Sequence, residues 1–140
     1  MLRRVTSVLR NPHFWLISVL MLLCTVHHYP DELGLARLFP SISSHPWFAL
    51  IRHAGDRVFY LMPVVYAGYA FGTVAGLAIA FITLMLMLPR ALFISSSPAD
   101  ALFETGVVTL VGVLVNLWFR GRAKEVEAVK QREQAVTAMI

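Results

Sequence analysis

Residues 58–89, VFYLMPVVYAGYAFGTVAGLAIAFITLMLMLP, form a run of 32 residues that contains no Asp, Glu, Lys or Arg. A helix needs about 20 apolar residues to cross a hydrocarbon core about 30 Å thick, so this run is too long for one ordinary span. Residues 71–73, Phe-Gly-Thr, lie near its centre and provide a natural break. We therefore predict two membrane spans in this stretch, at 57–70 and 74–93.

Charge is scarce along the whole chain of 140 residues, of which 14% are charged and 58% hydrophobic. Soluble domains usually carry about 25% charged residues. A soluble protein of this size would have too little polar surface to cover its core, whereas in a bilayer apolar side chains can face lipid. The composition therefore predicts an all-α integral membrane protein.

Two further uncharged or nearly uncharged stretches predict spans at 13–29 and 101–119. Basic residues flank the predicted spans at both ends of the chain. Arg3, Arg4 and Arg10 precede the first span, and Arg120, Arg122 and Lys124 follow the last span. The positive-inside rule places both ends in the cytoplasm, which requires an even number of crossings. We predict four transmembrane helices, with a cytoplasmic N-terminus at 1–12 and an exterior loop at 30–56. Because the basic residues lie at the chain ends, we expect a lipid bilayer as partner and no nucleic acid.

Residues 120–140 predict a cytoplasmic linker helix with the pattern of a coiled coil. Its heptad core positions are Phe119, Val126, Glu133 and Ile140 at a, and Arg122, Val129 and Val136 at d. We expect these seven residues to relay a signal. No glycine or proline ends the pattern, so we expect the linker to be truncated and the natural chain to continue.

A set of ionisable residues lies at the predicted exterior ends of the spans: Arg57, Arg90, Glu104, His53 and Asp100. Ionisable groups near a membrane are costly and are usually paired. One interpretation is a ligand-sensing site at the mouth of the bundle. The other is a set of interhelical salt bridges and arginines that reach the interface.

No catalytic motif and no cofactor site stands out in the chain. His27 and His28 are weak candidates for a metal, because adjacent histidines point to different faces of a helix. Cys24 is the single cysteine, which excludes an intrachain disulfide and a cysteine-based zinc site. We therefore expect no catalytic residues and no cofactor.

Two features of the apolar segments indicate close helix packing. Gly68, Gly72 and Gly76 recur at every fourth residue, a spacing that permits close approach of helices or a tight turn. Asn116 is a lone amide in the last span, and we expect it to bond within the bundle or between protomers.

Three stretches resemble the N-terminal multi-span region of bacterial, often PAS-containing, sensor histidine kinases: RHAGDRVFYLMPVVYAGYAFG at 52–72, MLPR at 87–90 and PADALFE at 98–104. The resemblance implies the signal-input region of a two-component system, dimeric and located in a bacterial inner membrane. It also implies downstream PAS and kinase domains or a response regulator as partners. A full-length protein of this kind would be a histidine kinase, although these residues include no phospho-acceptor or ATP-binding segment.

Two other functions remain open on the residues alone. A small transporter or channel subunit would need polar residues along a path at the bilayer midplane, where this chain offers Thr25, Thr83, Thr109 and Asn116. A structural membrane anchor or assembly protein would not depend on the helix at 120–140.

Overall fold

The computed structural model describes residues 10–34, 55 and 57–139. Helix α1 spans Pro12–His28, and a short 3-10 turn at Val58–Tyr60 leads directly into helix α2 at Leu61–Phe71. Helices α3 and α4 span Thr73–Phe93 and Pro98–Met139. All the regular structure in this part of the chain is helical, which confirms the all-α prediction for the described residues.

The starts of α1 and α4 follow from local side-chain chemistry. The Asn11 carboxamide oxygen accepts a hydrogen bond of 3.0 Å from the His13 backbone N–H, and Pro12 occupies the first helical position. Pro98 likewise opens α4, and Asp100 places a negative charge in its first turn, at the positive end of the helix dipole.

Gly72 separates α2 from α3. Its backbone has φ +88° and ψ 173°, a region that residues with a side chain essentially do not occupy. The break predicted at 71–73 therefore falls on the one residue in that tripeptide that can adopt this conformation. The chain reverses there within a single residue, so α2 and α3 form a tight helical hairpin.

The four helices alternate in direction, as the contacts at the two ends of the bundle show. At the end that contains Arg10, His13 Nδ1 lies 2.6 Å from the Tyr66 hydroxyl, and the Thr73 hydroxyl donates to the Asn116 carbonyl at 3.3 Å. This "Arg10 end" therefore joins the start of α1, the end of α2, the start of α3 and residue 116 of α4.

The opposite end, the "Arg57 end", is held by two tyrosines. The Tyr29 hydroxyl donates to the Leu86 carbonyl at 2.5 Å, which ties the end of α1 to the last third of α3. The Tyr60 hydroxyl donates to Thr25 Oγ1 at 3.2 Å, which ties α1 to the turn before α2. Helices α2, α3 and α4 pack against one another, and α1 lies against α2 and α3.

Helices α3 and α4 are each long and apolar enough to cross a membrane, whereas α1 and the segment Val58–Phe71 are shorter apolar helices. Only 28% of the most apolar stretch of α3 and 17% of that of α4 is buried inside the protein. Most of their apolar side chains therefore face outward, as lipid-facing residues do.

Helix α4 continues without a break past residue 119, where the predicted fourth span ends. Residues 120–138 are exposed along their whole length. The predicted span and the predicted linker helix are thus one rigid element of 42 residues, about 63 Å long.

We expect Gly72→Ala to destabilise the bundle by about 1–3 kcal/mol, because alanine is strained at φ +88°. Thermal unfolding of the purified protein in detergent, followed by circular dichroism, measures the effect. Gly106→Ala is the matched control, because an added methyl there meets nothing within 4 Å and the helix gains propensity. Equal stability of the two variants would contradict the role of Gly72.

Candidate functional site

The Asn116 side chain is fully buried where α2, α3 and α4 meet. Its Nδ2 donates to the Gly112 carbonyl, one turn earlier on α4, at 2.8 Å. The same nitrogen reaches the Val64 carbonyl on α2 at 3.5 Å. The Asn116 amide nitrogen therefore makes its hydrogen bonds within one chain, as one of the two predicted alternatives expects.

Gly68 and Gly76 provide the space that the Asn116 carboxamide occupies. A methyl group added at either glycine would overlap Asn116 Oδ1. A methyl at Gly76 would also lie 2.8 Å from the Gly68 α-carbon, so α2 and α3 approach each other closely at these two residues. The spacing of glycines therefore has two uses: Gly68 and Gly76 form a notch, and Gly72 forms the turn.

Asn116 Oδ1 is buried and has no conventional hydrogen-bond donor among the described residues. Because a Cα–Cβ bond is about 1.5 Å long, this oxygen lies within about 3.3 Å of the α-carbons of both Gly68 and Gly76. The oxygen is therefore in direct contact with the backbone of both glycines, and any side chain at either position would displace it.

At the Arg57 end, the Arg57 guanidinium forms an ion pair with the Glu104 carboxylate. The two side chains differ in burial: that of Arg57 is 17% exposed and that of Glu104 is 54% exposed. Arg57 Nε is buried with no hydrogen-bond partner in the described part of the chain. The pair links the turn before α2 to the second turn of α4, as the salt-bridge interpretation expects.

The other predicted sensing residues lie at the end of α3, at the start of α4 or outside the described residues. Arg90 is in the last turn of α3, and its carbonyl accepts from the backbone N–H groups of Ile94 and Ser95. Asp100 is exposed in the first turn of α4, one turn before Glu104. His53 lies outside the described residues, as does most of the predicted exterior loop.

His27 and His28 have different surroundings, as expected for adjacent residues of a helix. The His27 ring lies edge-on to Phe59, with centroids 5.3 Å apart. The His28 ring is fully buried and lies edge-on to Tyr29 and Tyr60. Across residues 10–34, 55 and 57–139, no group of three or more His, Cys, Asp or Glu side chains is placed to hold a metal ion.

Five of the seven predicted relay residues lie on the part of α4 that projects from the bundle: Arg122, Val126, Val129, Glu133 and Val136. Val126, Val129 and Val136 are exposed and share one face of the helix. Arg122 is engaged within its own helix, since it pairs with Glu125 at 3.5 Å and lies over the Trp118 ring at 5.6 Å. Phe119 borders Tyr66 and Tyr69 of α2, and Ile140 lies outside the described residues.

Three of the threonine hydroxyls inside the bundle, those of Thr25, Thr83 and Thr109, contact nearby helix atoms. The Thr25 hydroxyl donates to the Met21 carbonyl at 2.7 Å, and Thr109 to the Thr105 carbonyl at 2.8 Å. The Thr83 hydroxyl lies 3.7 Å from the Met21 sulfur. Groups whose hydrogen bonds are made locally offer little to a passing ion, so these residues do not favour a transporter.

Sequence reasoning missed one buried polar group, Thr105, whose hydroxyl oxygen has no hydrogen-bond partner among the described residues. A signal for it exists in the sequence. The buried residues in the apolar first half of α4 recur at helical spacing: Ala101, Thr105, Val108, Gly112 and Asn116. Reading this stripe of mostly small residues would have identified the inward face of α4.

Comparison of the chain with protein-family models, curated proteins and solved structures finds no match. Within the described residues, the geometry offers no cluster of metal ligands. It offers two interhelical connections to α4 instead. Asn116 fixes α4 near the Arg10 end, and the pair of Arg57 with Glu104 fixes it at the other end.

We expect Gly68→Ala to destabilise the bundle by about 1–3 kcal/mol, because the added methyl overlaps the Asn116 carboxamide. In an Asn116→Ala background the same substitution should cost less, since the three nearest atoms to that methyl all belong to Asn116. Unfolding free energies of the two single variants and the double variant measure this coupling. Additive effects would contradict direct contact between the two residues.

We expect Glu104→Gln to be more destabilising than Arg57→Gln, although both remove the same ion pair. Glu104→Gln leaves a mostly buried cation without its carboxylate, whereas Arg57→Gln leaves a carboxylate that water reaches. Because Glu104 is half exposed, we expect the cost of losing the pair to be about 1 kcal/mol or less for Arg57→Gln.

The double variant Arg57→Gln/Glu104→Gln is the control for this comparison. It should be no less stable than Glu104→Gln alone, because neither charge is then left without its partner. Thermal unfolding of all three variants in one detergent gives the order. Equal and additive losses would show that the pair is not coupled.

Proposed function

We propose that this chain is the membrane input region of a two-component sensor histidine kinase. Its proposed task is to pass a stimulus from the exterior or the bilayer to downstream PAS and kinase domains. The observation that supports the proposal most is the continuity of α4, which runs without a break from Pro98, at the Arg57 end of the bundle, to Met139. A continuous helix that joins the bundle to the segment beyond residue 119 can transmit a rotation, tilt or shift from one to the other.

Four membrane crossings with both ends cytoplasmic form part of this proposal. The alternating helices put Arg10 and Arg120 at the same end of the bundle, which agrees with the positive-inside rule. Helix α1 is about 26 Å long and Val58–Phe71 about 21 Å, so both are shorter than a core of about 30 Å. Local thinning of the bilayer can accommodate spans of this length.

Aromatic residues at the Arg10 end support an interfacial position for it. Trp15, Tyr66, Tyr69 and Trp118 lie at similar levels on α1, α2 and α4. Tryptophan and tyrosine are enriched where membrane meets water, because their rings are amphipathic. We therefore place the cytoplasmic interface at this level, with α4 leaving the membrane after Phe119.

A homodimer through residues 120–138 completes the proposal. The exposed stripe of Val126, Val129 and Val136 suits the seam of a parallel coiled coil. In that register Glu125 of one chain faces Lys130 of the other, which adds attraction between opposite charges. The polar residues Arg122 and Glu133 at core positions would weaken the seam and let it adopt two arrangements.

The test is a chimera in which α4 continues into the dimerisation and kinase domains of a reporter histidine kinase. One alanine inserted after Gly121 rotates the helix beyond it by about 100° and shifts it by about 1.5 Å. We expect this insertion to change basal autophosphorylation strongly. Seven inserted alanines nearly restore the helix phase, and we expect them to restore most of the output.

The seven-residue insertion is also the control for length and folding, because it lengthens the linker more than the single residue does. Membrane abundance of each chimera is measured alongside autophosphorylation. Output that is the same for every insertion would overturn the relay and favour a passive membrane anchor.

A further inference from the structure

An apolar groove of about 680 Å³ runs between α1 and α3 above the floor provided by α2. Small side chains keep the groove open: Ala67 lies on its floor, and Ala75 and Ala78 lie on its α3 side. Phe14 and Phe71 lie at the Arg10 end of the groove, and Thr25 and Leu86 at the other. Neither the helix packing nor the proposed relay uses this groove.

We propose that the groove binds one acyl chain of an anionic phospholipid, with its headgroup beside Arg10. The proposal requires insertion of the helices in a membrane but does not depend on a role in signalling. It assigns the chain a lipid-binding site, which is separate from the polar residues at the Arg57 end.

The lining of the groove selects a hydrocarbon chain over a polar ligand. Ser18 and Thr25 are the hydroxyl residues in it, and both already donate to carbonyls of their own helix, at 2.9 and 2.7 Å. A polar occupant would lose its hydrogen bonds to water and find none to replace them. An acyl chain needs no such bonds and gains dispersion contacts with the lining.

The length of the groove suits an acyl chain. From Phe14 to Thr25 the groove is about 17 Å long, close to the depth of about 15 Å that one leaflet of the hydrocarbon core provides.

Charge at one end of the groove selects the headgroup and the leaflet. Arg10 is exposed just before α1, and His13 is exposed beside Phe71, with ring centroids 6.4 Å apart. The basic residue therefore lies where a phosphate group would be when its acyl chain extends along α1 toward Thr25. An arginine near a membrane surface attracts anionic lipids.

The test uses a phosphatidylglycerol whose acyl chain has a photoreactive diazirine, added to the purified full chain in neutral maltoside micelles. Irradiation followed by peptide mass spectrometry locates the label. We expect label at Leu22, Ala78 and Ile82 in excess over Leu110 and Leu114, which are exposed on α4 away from the groove. Label that follows exposure alone, with α4 modified as strongly, would overturn the proposal.

Two variants test the groove and the headgroup position separately, and a third variant is the control for the added ring. Ala78→Phe fills the groove and should remove most of its label, whereas Leu110→Phe adds a similar ring outside the groove and should leave the label unchanged. Arg10→Gln alters no packed residue and should reduce labelling by phosphatidylglycerol about fivefold. Labelling that survives both Ala78→Phe and Arg10→Gln would contradict the proposal.

Comparison of lipids separates the remaining explanations. A phosphatidylcholine probe with the same acyl chain should label the groove less than phosphatidylglycerol does, and equal labelling would overturn the anionic assignment. Irradiation that joins α1 of one copy to α3 of another would instead identify a second copy as the occupant. Loss of the lipid site leaves the alanine-insertion result unaffected, so the two proposals fail independently.

Discussion

The burial of a single carboxamide governs how the helices of this bundle pack. Asn116 has no access to solvent, and its nitrogen bonds to carbonyls of α4 and α2. Its oxygen fits only because Gly68 and Gly76 have no side chains. An amide moved by one helical turn would lose the Val64 carbonyl and would no longer face the space that the two glycines leave open. The depth and rotation of α4 relative to the α2–α3 hairpin are therefore specified at this point.

The two ends of the bundle rely on different interactions. Tyrosine hydroxyls bond to main-chain or side-chain oxygens at the Arg57 end, and an ion pair that is only half shielded from water adds to them. At the Arg10 end, a histidine–tyrosine pair and the Asn116 notch hold the helices. Between the ends, apolar side chains mostly face outward. Polar contacts near the two ends, with an apolar outer surface between them, suit a bundle whose central part lies in lipid.

Much of the fold could be predicted from the sequence because its signals are local. The absence of charge indicated the helices, and the turn followed from Gly72, since a residue at this φ and ψ must be glycine. The sequence could not show that α4 would pass residue 119 unbroken. A change from apolar to charged residues at Arg120 alters the solvent that the helix prefers, but nothing after it interrupts the backbone hydrogen bonds.

The candidate site was less predictable, because it depends on which helices become neighbours. The joining of Arg57 to Glu104 was one of several pairings that their positions allowed. The contact between His13 and Tyr66 and the groove beside α1 depend on the separation of helices that are distant in sequence. No local pattern records that separation.

The position of Asn116 along α4 has a mechanical consequence. From this fixed point the helix extends about 18 Å toward Glu104 and about 32 Å toward Thr137. Asn116 is thus the fulcrum of a lever with unequal arms. A tilt of about 5° that moves Glu104 by about 1.6 Å moves Thr137 by about 2.7 Å. A displacement about as long as a carbon–carbon bond at the Arg57 end is thereby enlarged at the far end of the helix.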